Sequence, residues 1–315
     1  MAQNSARLYN EIMNTHNMER LREAAAKNGP LCIGLDTDPS YIPENILKQY
    51  SSPSEAVLAY NRAIISRIGE SAACVKVQVA YYEAMGLAGM KAYAETLREL
   101  KKAGVITISD IKRGDIAATA GAYARAHFSG DFESDIITIN PYMGFETLEP
   151  FTKYVESGKG IFVLLRTSNK GMNDLENLDV ATGGKVLDRV GAELTRLANI
   201  YRAQFPDAKC SPVGAVVGCT EEANARELRA KYPDIFFLIP GYGAQGGAAR
   251  IAATLLTEAG GTVNSSRGIL CAWKSIASLA ERAERKTITM DDIADAAIKA
   301  AYSAKEDLLG AKNAL

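Results

Sequence analysis

Histidine is almost missing from the sequence: the 315 residues include only His16 and His127. Two imidazoles cannot build a histidine-rich metal site, and their scarcity argues against nucleophilic catalysis that depends on a histidine base. Both histidines stand in polar stretches with helical periodicity, where we expect them at the protein surface. Any acid–base chemistry therefore falls to lysine and carboxylate side chains.

Cysteine pairs and long apolar runs are also missing. No two of the five cysteines form a CxxC motif, so we expect small buried side chains in a reducing compartment. No run approaches the roughly 18 apolar residues of a membrane span, and the first residues lack the apolar core of a signal peptide. A net charge of −1 argues against general binding to nucleic acid or membranes. We therefore predict a cytoplasmic protein whose partner is a small molecule.

Short β-like runs alternate with longer helix-like runs along the chain. Eight runs are rich in Val, Ile, Leu or Phe, as expected of strands that are covered on both faces. They are Leu31–Asp36, Ala73–Val79, Val105–Lys112, Asp135–Asn140, Gly160–Thr167, Gly214–Cys219, Phe236–Pro240 and Thr262–Ser266. Amphipathic stretches between them predict helices at Ser54–Ile68, Gly89–Lys102, Val186–Gln204 and Glu221–Lys231.

About eight βα units without a Pro/Ser-rich linker favour an α/β fold, the (β/α)8 TIM barrel, as a single domain over residues 1–315. Within it we expect an N-terminal helical extension at 1–28, a core at about 29–285 and a C-terminal helix at 286–315 that opens at Thr289. An open doubly wound sheet is the alternative. No GxGxxG motif follows the first strand, which weakens that alternative as a dinucleotide-binding fold.

The hexapeptide DIKRGD contains the most informative cluster, Asp110, Lys112 and Asp115, directly after the apolar run Val105–Ile108. Side chains alternate between the two faces of a strand, so Asp110 and Lys112 should point the same way. Asp115 falls beyond the strand, on a loop. Enzymes with this fold place their catalytic residues at the C-terminal ends of the strands, so the cluster predicts a catalytic site.

Other polar side chains also occupy strand positions. Lys76 and Gln78 alternate with valines on the second strand, and Asp36 closes the first. A lysine there has poor access to solvent and needs a partner, because an isolated buried charge would cost several kcal/mol. Lys76 and the cluster in DIKRGD together carry no net charge, so they can be buried as one array. Ordinary exposed lysines or a structural salt-bridge network are the alternatives, but structural ion pairs have no reason to collect at strand ends.

A glycine-rich segment, Pro240–Gly247 (PGYGAQGG), follows the seventh strand, and Arg267 follows the eighth. The loops after these two strands are a frequent phosphate site in TIM barrels. Glycines let backbone N–H groups approach an anion, and an arginine can bind it with two parallel hydrogen bonds. The two signals together predict a phosphate-bearing ligand.

Taken together, these motifs resemble the orotidine 5′-phosphate decarboxylase family. GLD ends at Asp36, VKVQ contains Lys76, and SDIKRGDIAATA contains the pattern D-x-K-x-x-D-I-x-x-T. NPYMG, RTSNKG, PGYGAQGG and VNSSRGI follow in the family's order. NPYMG and RTSN are similar to the longer bacterial and protozoan branch. The resemblance covers roughly residues 28–285.

The resemblance implies a homodimer without metal or organic cofactor that converts orotidine 5′-monophosphate to UMP and carbon dioxide in pyrimidine biosynthesis. It implies that Lys112 protonates C6 of the pyrimidine, that Asp110 lies against the substrate carboxylate, and that Asp115 reaches in from the partner subunit. Further implied substrate contacts are Ile116 and Thr119 from the partner subunit; Asp36, Lys76 and Gln78 at the ribose; Thr167 and Ser168 at the pyrimidine amide; and Pro240, Gln245 and Arg267 at the phosphate.

Two other functions remain open. The D-x-K-x-x-D motif is shared with metal-dependent sugar-phosphate enzymes of the same suprafamily, which use the same barrel and phosphate loops but need magnesium. An inactive binding protein for a phosphate-bearing ligand would tolerate loss of the charged array. An assay with excess chelator separates the first function from decarboxylation without a metal, and loss of orotidylate absorbance separates the second.

Overall fold

The computed structural model describes residues 15–242 and 248–315. All eight predicted strands are present, with no bound more than two residues from the prediction. They are β1 (Leu31–Leu35), β2 (Cys74–Gln78), β3 (Thr107–Arg113), β4 (Ile136–Ile139), β5 (Gly160–Arg166), β6 (Val213–Val217), β7 (Phe237–Ile239) and β8 (Gly261–Ser265). Each strand pairs in parallel with its neighbours in sequence, and β8 pairs with β1. The predicted barrel is therefore confirmed, and the open sheet is wrong.

Helices connect the strands and cover the outside of the barrel. In chain order the α-helices are α1 (Asn17–Asn28), α2 (Glu44–Leu47), α3 (Pro53–Ile65), α4 (Val79–Glu83), α5 (Gly86–Lys102), α6 (Ala117–Phe128), α7 (Glu149–Thr152), α8 (Val186–Gln204), α9 (Glu222–Lys231), α10 (Ala248–Leu255), α11 (Arg267–Leu270), α12 (Ala277–Glu284) and α13 (Met290–Asn313). In the two described ranges, none of these helices combines the length and the apolar character needed to cross a membrane.

Helix α13 begins where the sequence predicts. The Thr289 hydroxyl accepts a hydrogen bond from the Asp292 amide, and the Asp292 carboxylate accepts one from the Thr289 amide. This reciprocal cap satisfies two N–H groups that have no partner within the helix. The cap explains why α13 starts after Thr289.

The apolar core has two parts, one on each side of the barrel wall. Val75 and Val77 belong to the outer part, which packs between the strands and the surrounding helices. A smaller cluster, which includes Phe162 and Phe236, fills the barrel interior towards the N-terminal ends of the strands. The valines of β2 therefore face outward, and Lys76 between them faces the interior, as the alternation predicted.

Helix α1 closes the N-terminal end of the barrel. Its Met18 and Leu21 are fully buried in the interior cluster. Two strand glycines leave the room for Met18, because a Cβ at Gly160 would lie 2.8 Å from Met18 Cγ and a Cβ at Gly214 would lie 2.6 Å from Met18 Cε. The described part of the predicted N-terminal extension is thus a helix that fills the bottom of the barrel.

Both histidines are buried, which corrects the prediction that they lie at the surface. His16 is fully buried, and its Nδ1 caps α1 by accepting a hydrogen bond from the Glu19 amide at 3.1 Å. His127 is 4% exposed and stacks on Phe132. Burial disfavours the charged imidazolium and lowers the pKa of each histidine to about 4. The polar neighbours of the two histidines in the sequence do not indicate this burial. A capping residue, or a residue on one face of a helix, can be buried although the residues next to it in the sequence are exposed.

Candidate active site

Strand β3 contains a bulge at its C-terminal end. β3 and β4 pair in register at Ser109 and again at Arg113, and the three β3 residues between these points stand opposite Thr138 alone. Such a bulge bends a strand and redirects its side chains. Within it Lys112 has a φ of 45°, which costs a non-glycine residue on the order of 1 kcal/mol. The bulge, rather than regular alternation, turns Lys112 towards Asp110.

Four charged side chains meet at the C-terminal mouth of the barrel. The Lys76 ammonium lies between two carboxylates, 3.0 Å from Asp36 Oδ1 and 2.9 Å from Asp110 Oδ2. The other oxygen of Asp110, Oδ1, lies 2.6 Å from Lys112 Nζ. The row Asp36, Lys76, Asp110, Lys112 therefore alternates in sign, and we call it the charged array.

Burial differs along the charged array. The side chains of Lys76 and Asp110 are 5% and 8% exposed, whereas that of Lys112 is 45% exposed. Burial would raise the pKa of Asp110, but the charges of Lys76 and Lys112 outweigh it and lower the pKa to about 2. Burial would lower the pKa of Lys76, but the two neighbouring carboxylates raise it above its ordinary value. The predicted burial is confirmed for Lys76 and Asp110. Lys112 stands at the open rim of the single chain, and its burial in a site completed by a partner subunit stays a prediction.

Four donors hold the carboxylate of Asp110. Oδ1 accepts hydrogen bonds from Lys112 and from the Thr138 hydroxyl, the latter at 2.9 Å. Oδ2 accepts from Lys76 and, at 2.9 Å, from Gln78 Nε2. Thr138 was not among the predicted site residues. A hydroxyl residue between two isoleucines on a strand carries the same signal that identified Lys76, so the alternation could have found it.

The end of β5 carries the two residues expected at the pyrimidine amide. The amide and hydroxyl of Thr167 donate to the two carboxylate oxygens of Glu176, at 2.9 and 2.8 Å. Ser168 is exposed and lies beside Gly218, where a Cβ would meet Ser168 Cβ at 2.8 Å. Ser168 therefore has the more accessible hydroxyl of the two. Glu176 was not predicted, because nothing in the sequence marks a contact across the segment that follows β5.

The residues expected at the phosphate lie partly within the described chain. Gln245 lies outside the described residues. Pro240 is half-buried directly after β7, and Arg267 is exposed at the first position of α11, after β8. Because β7 and β8 are neighbours in the barrel, Pro240 and Arg267 stand on adjacent strand ends at its mouth.

The residues expected to serve a partner subunit lie outside the charged array. Asp115 follows β3 on a loop, as predicted, and its Oδ1 accepts a hydrogen bond from the Ile116 amide at 2.8 Å. Ile116 is 58% exposed, and Thr119 is exposed in the first turn of α6. These three residues thus form an outward-facing edge beside the mouth of the barrel.

A cavity of about 400 Å³ lies between β5, the segment that follows β4, and helix α8. Its lining is mainly apolar and includes Tyr142 after β4, Leu164 on β5 and Leu187 on α8. None of the four residues of the charged array, all of them described, lines it. Proton transfer and the stabilisation of a developing charge need charged groups. We therefore take the mouth of the barrel, not this cavity, as the candidate active site.

The charged array can perform two kinds of chemistry. A cationic Lys112 can donate a proton and stabilise a developing negative charge, and an ionised Asp110 raises the energy of an anion placed against it. Among residues 15–242 and 248–315, no three His, Cys, Asp or Glu side chains come together in a way that could hold a metal ion.

Known proteins similar to this chain agree on one family. Residues 29–280 match the model of the "Orotidine 5'-phosphate decarboxylase / HUMPS family". A protein of Clostridium perfringens (strain 13 / Type A) named orotidine 5′-phosphate decarboxylase is 49% identical over 287 residues, which cover 89% of this chain and 99% of the relative. A protein of the same name from Clostridium botulinum (strain Loch Maree / Type A3) is 50% identical over 259 residues, covering 82% and 90%. The solved structure of Leishmania donovani OMP decarboxylase has a TM-score of 0.65 and 30% sequence identity, covering 89% of this chain and 99% of that one. The chain therefore belongs to the orotidine 5′-phosphate decarboxylase / HUMPS family.

Proposed function

We propose that the charged array carries out the decarboxylation of orotidine 5′-monophosphate. The chain converts this substrate to UMP and carbon dioxide in pyrimidine biosynthesis, in keeping with its family and with curated relatives of that activity at 49% identity. The observation that carries the assignment of the site is the contact of 2.6 Å between Lys112 and the buried Asp110.

Lys112 is the proposed proton donor. When the bond between C6 and the carboxylate breaks, its electron pair stays on C6 and neutral carbon dioxide leaves. The Lys112 ammonium then gives a proton to C6, and the resulting amine takes one back from solvent. Without an organic cofactor to delocalise the charge, the ammonium also stabilises it before the transfer.

Asp110 is proposed to lie against the substrate carboxylate. Its pKa of about 2 keeps it ionised at neutral pH. Two like charges at about 4 Å repel by about 4 kcal/mol at an effective dielectric constant near 20. The repulsion disappears as carbon dioxide forms, so it lowers the barrier if binding elsewhere on the substrate offsets it.

Residues around the mouth are proposed to supply that binding. Exposed Arg267, beside Pro240 on the neighbouring strand end, supports a phosphate site there. Binding energy from a remote phosphate can offset strain at the reacting carbon. The proposed contacts are Pro240, Gln245 and Arg267 with the phosphate; Asp36, Lys76 and Gln78 with the ribose; and Ser168, with Thr167, at the pyrimidine amide.

We also propose a homodimer with shared active sites. Asp115, Ile116 and Thr119 of each subunit would complete the site of the other. The exposed Ile116 supports this proposal, since it lies beside the mouth and a partner would cover it. Asp115 would then place a further carboxylate near the Lys112 ammonium.

The proposal includes a single cytoplasmic domain over residues 1–315 without nucleic-acid or membrane partners. Helix α13 packs against β1 and α3 from the first part of the barrel sequence and against α10 from its last part. These contacts support one domain. A net charge of −1 and five free cysteines support the location and the choice of partner.

Loss of orotidylate absorbance tests the function directly. The purified chain is mixed with orotidine 5′-monophosphate, with and without excess chelator, and UMP is measured as the product. We expect equal loss of absorbance in both samples. Unchanged absorbance would contradict the function, and activity that disappears with the chelator would favour a metal-dependent enzyme.

Mixing two inactive variants tests the shared site. A heterodimer of Lys112→Ala and Asp115→Ala chains contains one site with both residues intact, so subunit exchange should restore activity. A mixture of Lys112→Ala chains with chains that carry both substitutions is the control, because it contains no complete site. Exchanged mixtures that stay inactive would remove the shared-site proposal.

A further inference from the structure

We propose that Thr138 is a positioning residue whose hydroxyl holds the β3 bulge in the shape that aims Asp110 and Lys112. Thr138 lies on β4, is fully buried, and belongs to none of the motifs that resemble the family. It acts through the charged array, so the inference rests on the proposed function of that array.

The Thr138 hydroxyl uses its full hydrogen-bonding capacity. Its oxygen accepts from the amides of Ile111 and Lys112, each at 3.0 Å, and lies 2.9 Å from Asp110 Oδ1. A hydroxyl has one proton and two lone pairs. Because both amides can only donate, the single hydroxyl proton goes to the Asp110 carboxylate. The direction of all three bonds is therefore determined.

The bulge creates the need for this hydroxyl. In a regular parallel ladder, amides of β3 would donate to carbonyls of β4. The extra residues of the bulge lose that register, and a buried amide without an acceptor is costly. Thr138 Oγ1 replaces the missing acceptor for Ile111 and Lys112. It thereby supports Lys112 in the left-handed conformation, with a φ of 45°.

The same hydroxyl connects the backbone of the bulge to the carboxylate within it. The Lys112 amide donates to Thr138, Thr138 donates to Asp110, and the Lys112 ammonium contacts Asp110 at 2.6 Å. Both ends of Lys112 are thus fixed relative to one carboxylate. A catalytic group misplaced by about 1 Å can lower the rate on the order of a hundredfold. The three bonds that connect Lys112, Thr138 and Asp110 should therefore affect turnover.

Substitutions at Thr138 test the inference by separating kcat from KM. Thr138→Val removes all three bonds at nearly constant shape, and we expect kcat to fall at least tenfold, about 1.4 kcal/mol, with KM close to the wild-type value. KM should change little because Arg267 and the other proposed phosphate contacts are untouched. Thr138→Ser keeps the hydroxyl and should restore most of the lost kcat.

Thr262→Val is the matched control. Thr262 is also fully buried on a barrel strand, and its hydroxyl donates to the Pro30 carbonyl at 2.9 Å, away from the mouth. We expect Thr262→Val to lower the free energy of unfolding and leave kcat unchanged. Equal kcat losses in Thr262→Val and Thr138→Val would overturn the inference, as would a Thr138→Ser enzyme that is as slow as Thr138→Val.

Two further measurements keep the outcome clear. If Thr138→Val does not fold, Thr138→Cys replaces it, since a thiol is a weak donor and acceptor and should give an intermediate kcat. Hydrogen exchange of the Ile111 and Lys112 amides needs no activity: we expect protection in the wild type and in Thr138→Ser, and faster exchange in Thr138→Val. Amides that stay protected in Thr138→Val would overturn the inference, whereas a wild-type chain without turnover would contradict only the proposed function.

Discussion

The two ends of the barrel interior are built by the same eight strands and hold opposite kinds of side chain. At the N-terminal end, Met18, Phe162 and Phe236 pack in one apolar cluster. At the C-terminal end, the charged array is held by contacts of 2.6 to 3.0 Å. Apolar burial stabilises a fold by roughly 25 cal/mol per Å². Buried ion pairs, by contrast, do little more than offset their own desolvation.

We infer that the barrel separates stability and chemistry along its axis. We expect a substitution that removes buried apolar surface at the N-terminal end to leave the reacting groups in place. The mouth holds Lys76 and Asp110 in a buried position that apolar side chains of similar size would fill at lower cost. Substitutions at the two ends should therefore change different measured quantities.

Lys112→Ala should have the largest effect on turnover. It removes the proposed proton donor, and we expect kcat to fall by far more than tenfold, a loss above about 1.4 kcal/mol. We expect the variant to fold, because the Asp110 carboxylate keeps Lys76, Gln78 and Thr138 as hydrogen-bond partners. Lys101→Ala is the control, since that lysine is 69% exposed on α5 and lies outside the array. A Lys112→Ala enzyme with more than about a tenth of the wild-type kcat would remove the proton-donor role.

Met18→Ala should have the opposite profile. Truncating a fully buried methionine leaves a cavity and costs about 2–5 kcal/mol of unfolding free energy. We expect kcat of the folded enzyme to stay near the wild-type value, because Met18 lies at the far end of the barrel. Urea unfolding and steady-state kinetics check the two parts, with exposed Met143→Ala as the control. A kcat loss comparable with that of Lys112→Ala would break the proposed separation.

Much of this architecture could be predicted from the sequence, because strand alternation is a local signal. The alternation of Lys76 and Gln78 with valines assigned their faces correctly, and α13 begins directly after Thr289, where its start was predicted. The burial of His16 could not be predicted in this way. It depends on packing against Phe205, which is distant in sequence.

The candidate site could be predicted as a set of charges but not as a geometry. Asp110 and Lys112 were identified by their place at a strand end. Their contact depends on a bulge that exists only because β3 pairs with β4, and such pairing is set by the whole barrel. Glu176 could not be predicted for the same reason, since it acts through Thr167 on another segment. Thr138 stands between two isoleucines, so strand alternation marks it as a polar residue inside the barrel, but its contact with Asp110 depends on the bulge.

His16→Asn should give the smallest effect. We expect it only at acidic pH, and only in the stability that the N-terminal end of the barrel contributes. His16 has a pKa of about 4 in the folded chain and an ordinary value near 6.5 when unfolded. Between these values the unfolded chain binds a proton that the folded chain does not, so stability is complete above pH 6.5 and falls as the pH drops towards 4. For His16 the loss between pH 7 and pH 5 is about 2 kcal/mol. Asparagine keeps the cap of α1 without titrating.

Urea unfolding at pH 7 and pH 5 measures the difference between the wild type and His16→Asn. We expect the fall in unfolding free energy to be smaller in the variant by about 2 kcal/mol, with a further fall left from buried His127. Asp110, with its pKa of about 2, stays ionised over this range, so kcat per folded molecule should be the same in the two proteins. An identical pH dependence of stability in both would show that His16 does not titrate in this range. A change in kcat would instead connect the two ends of the barrel that the structure keeps apart.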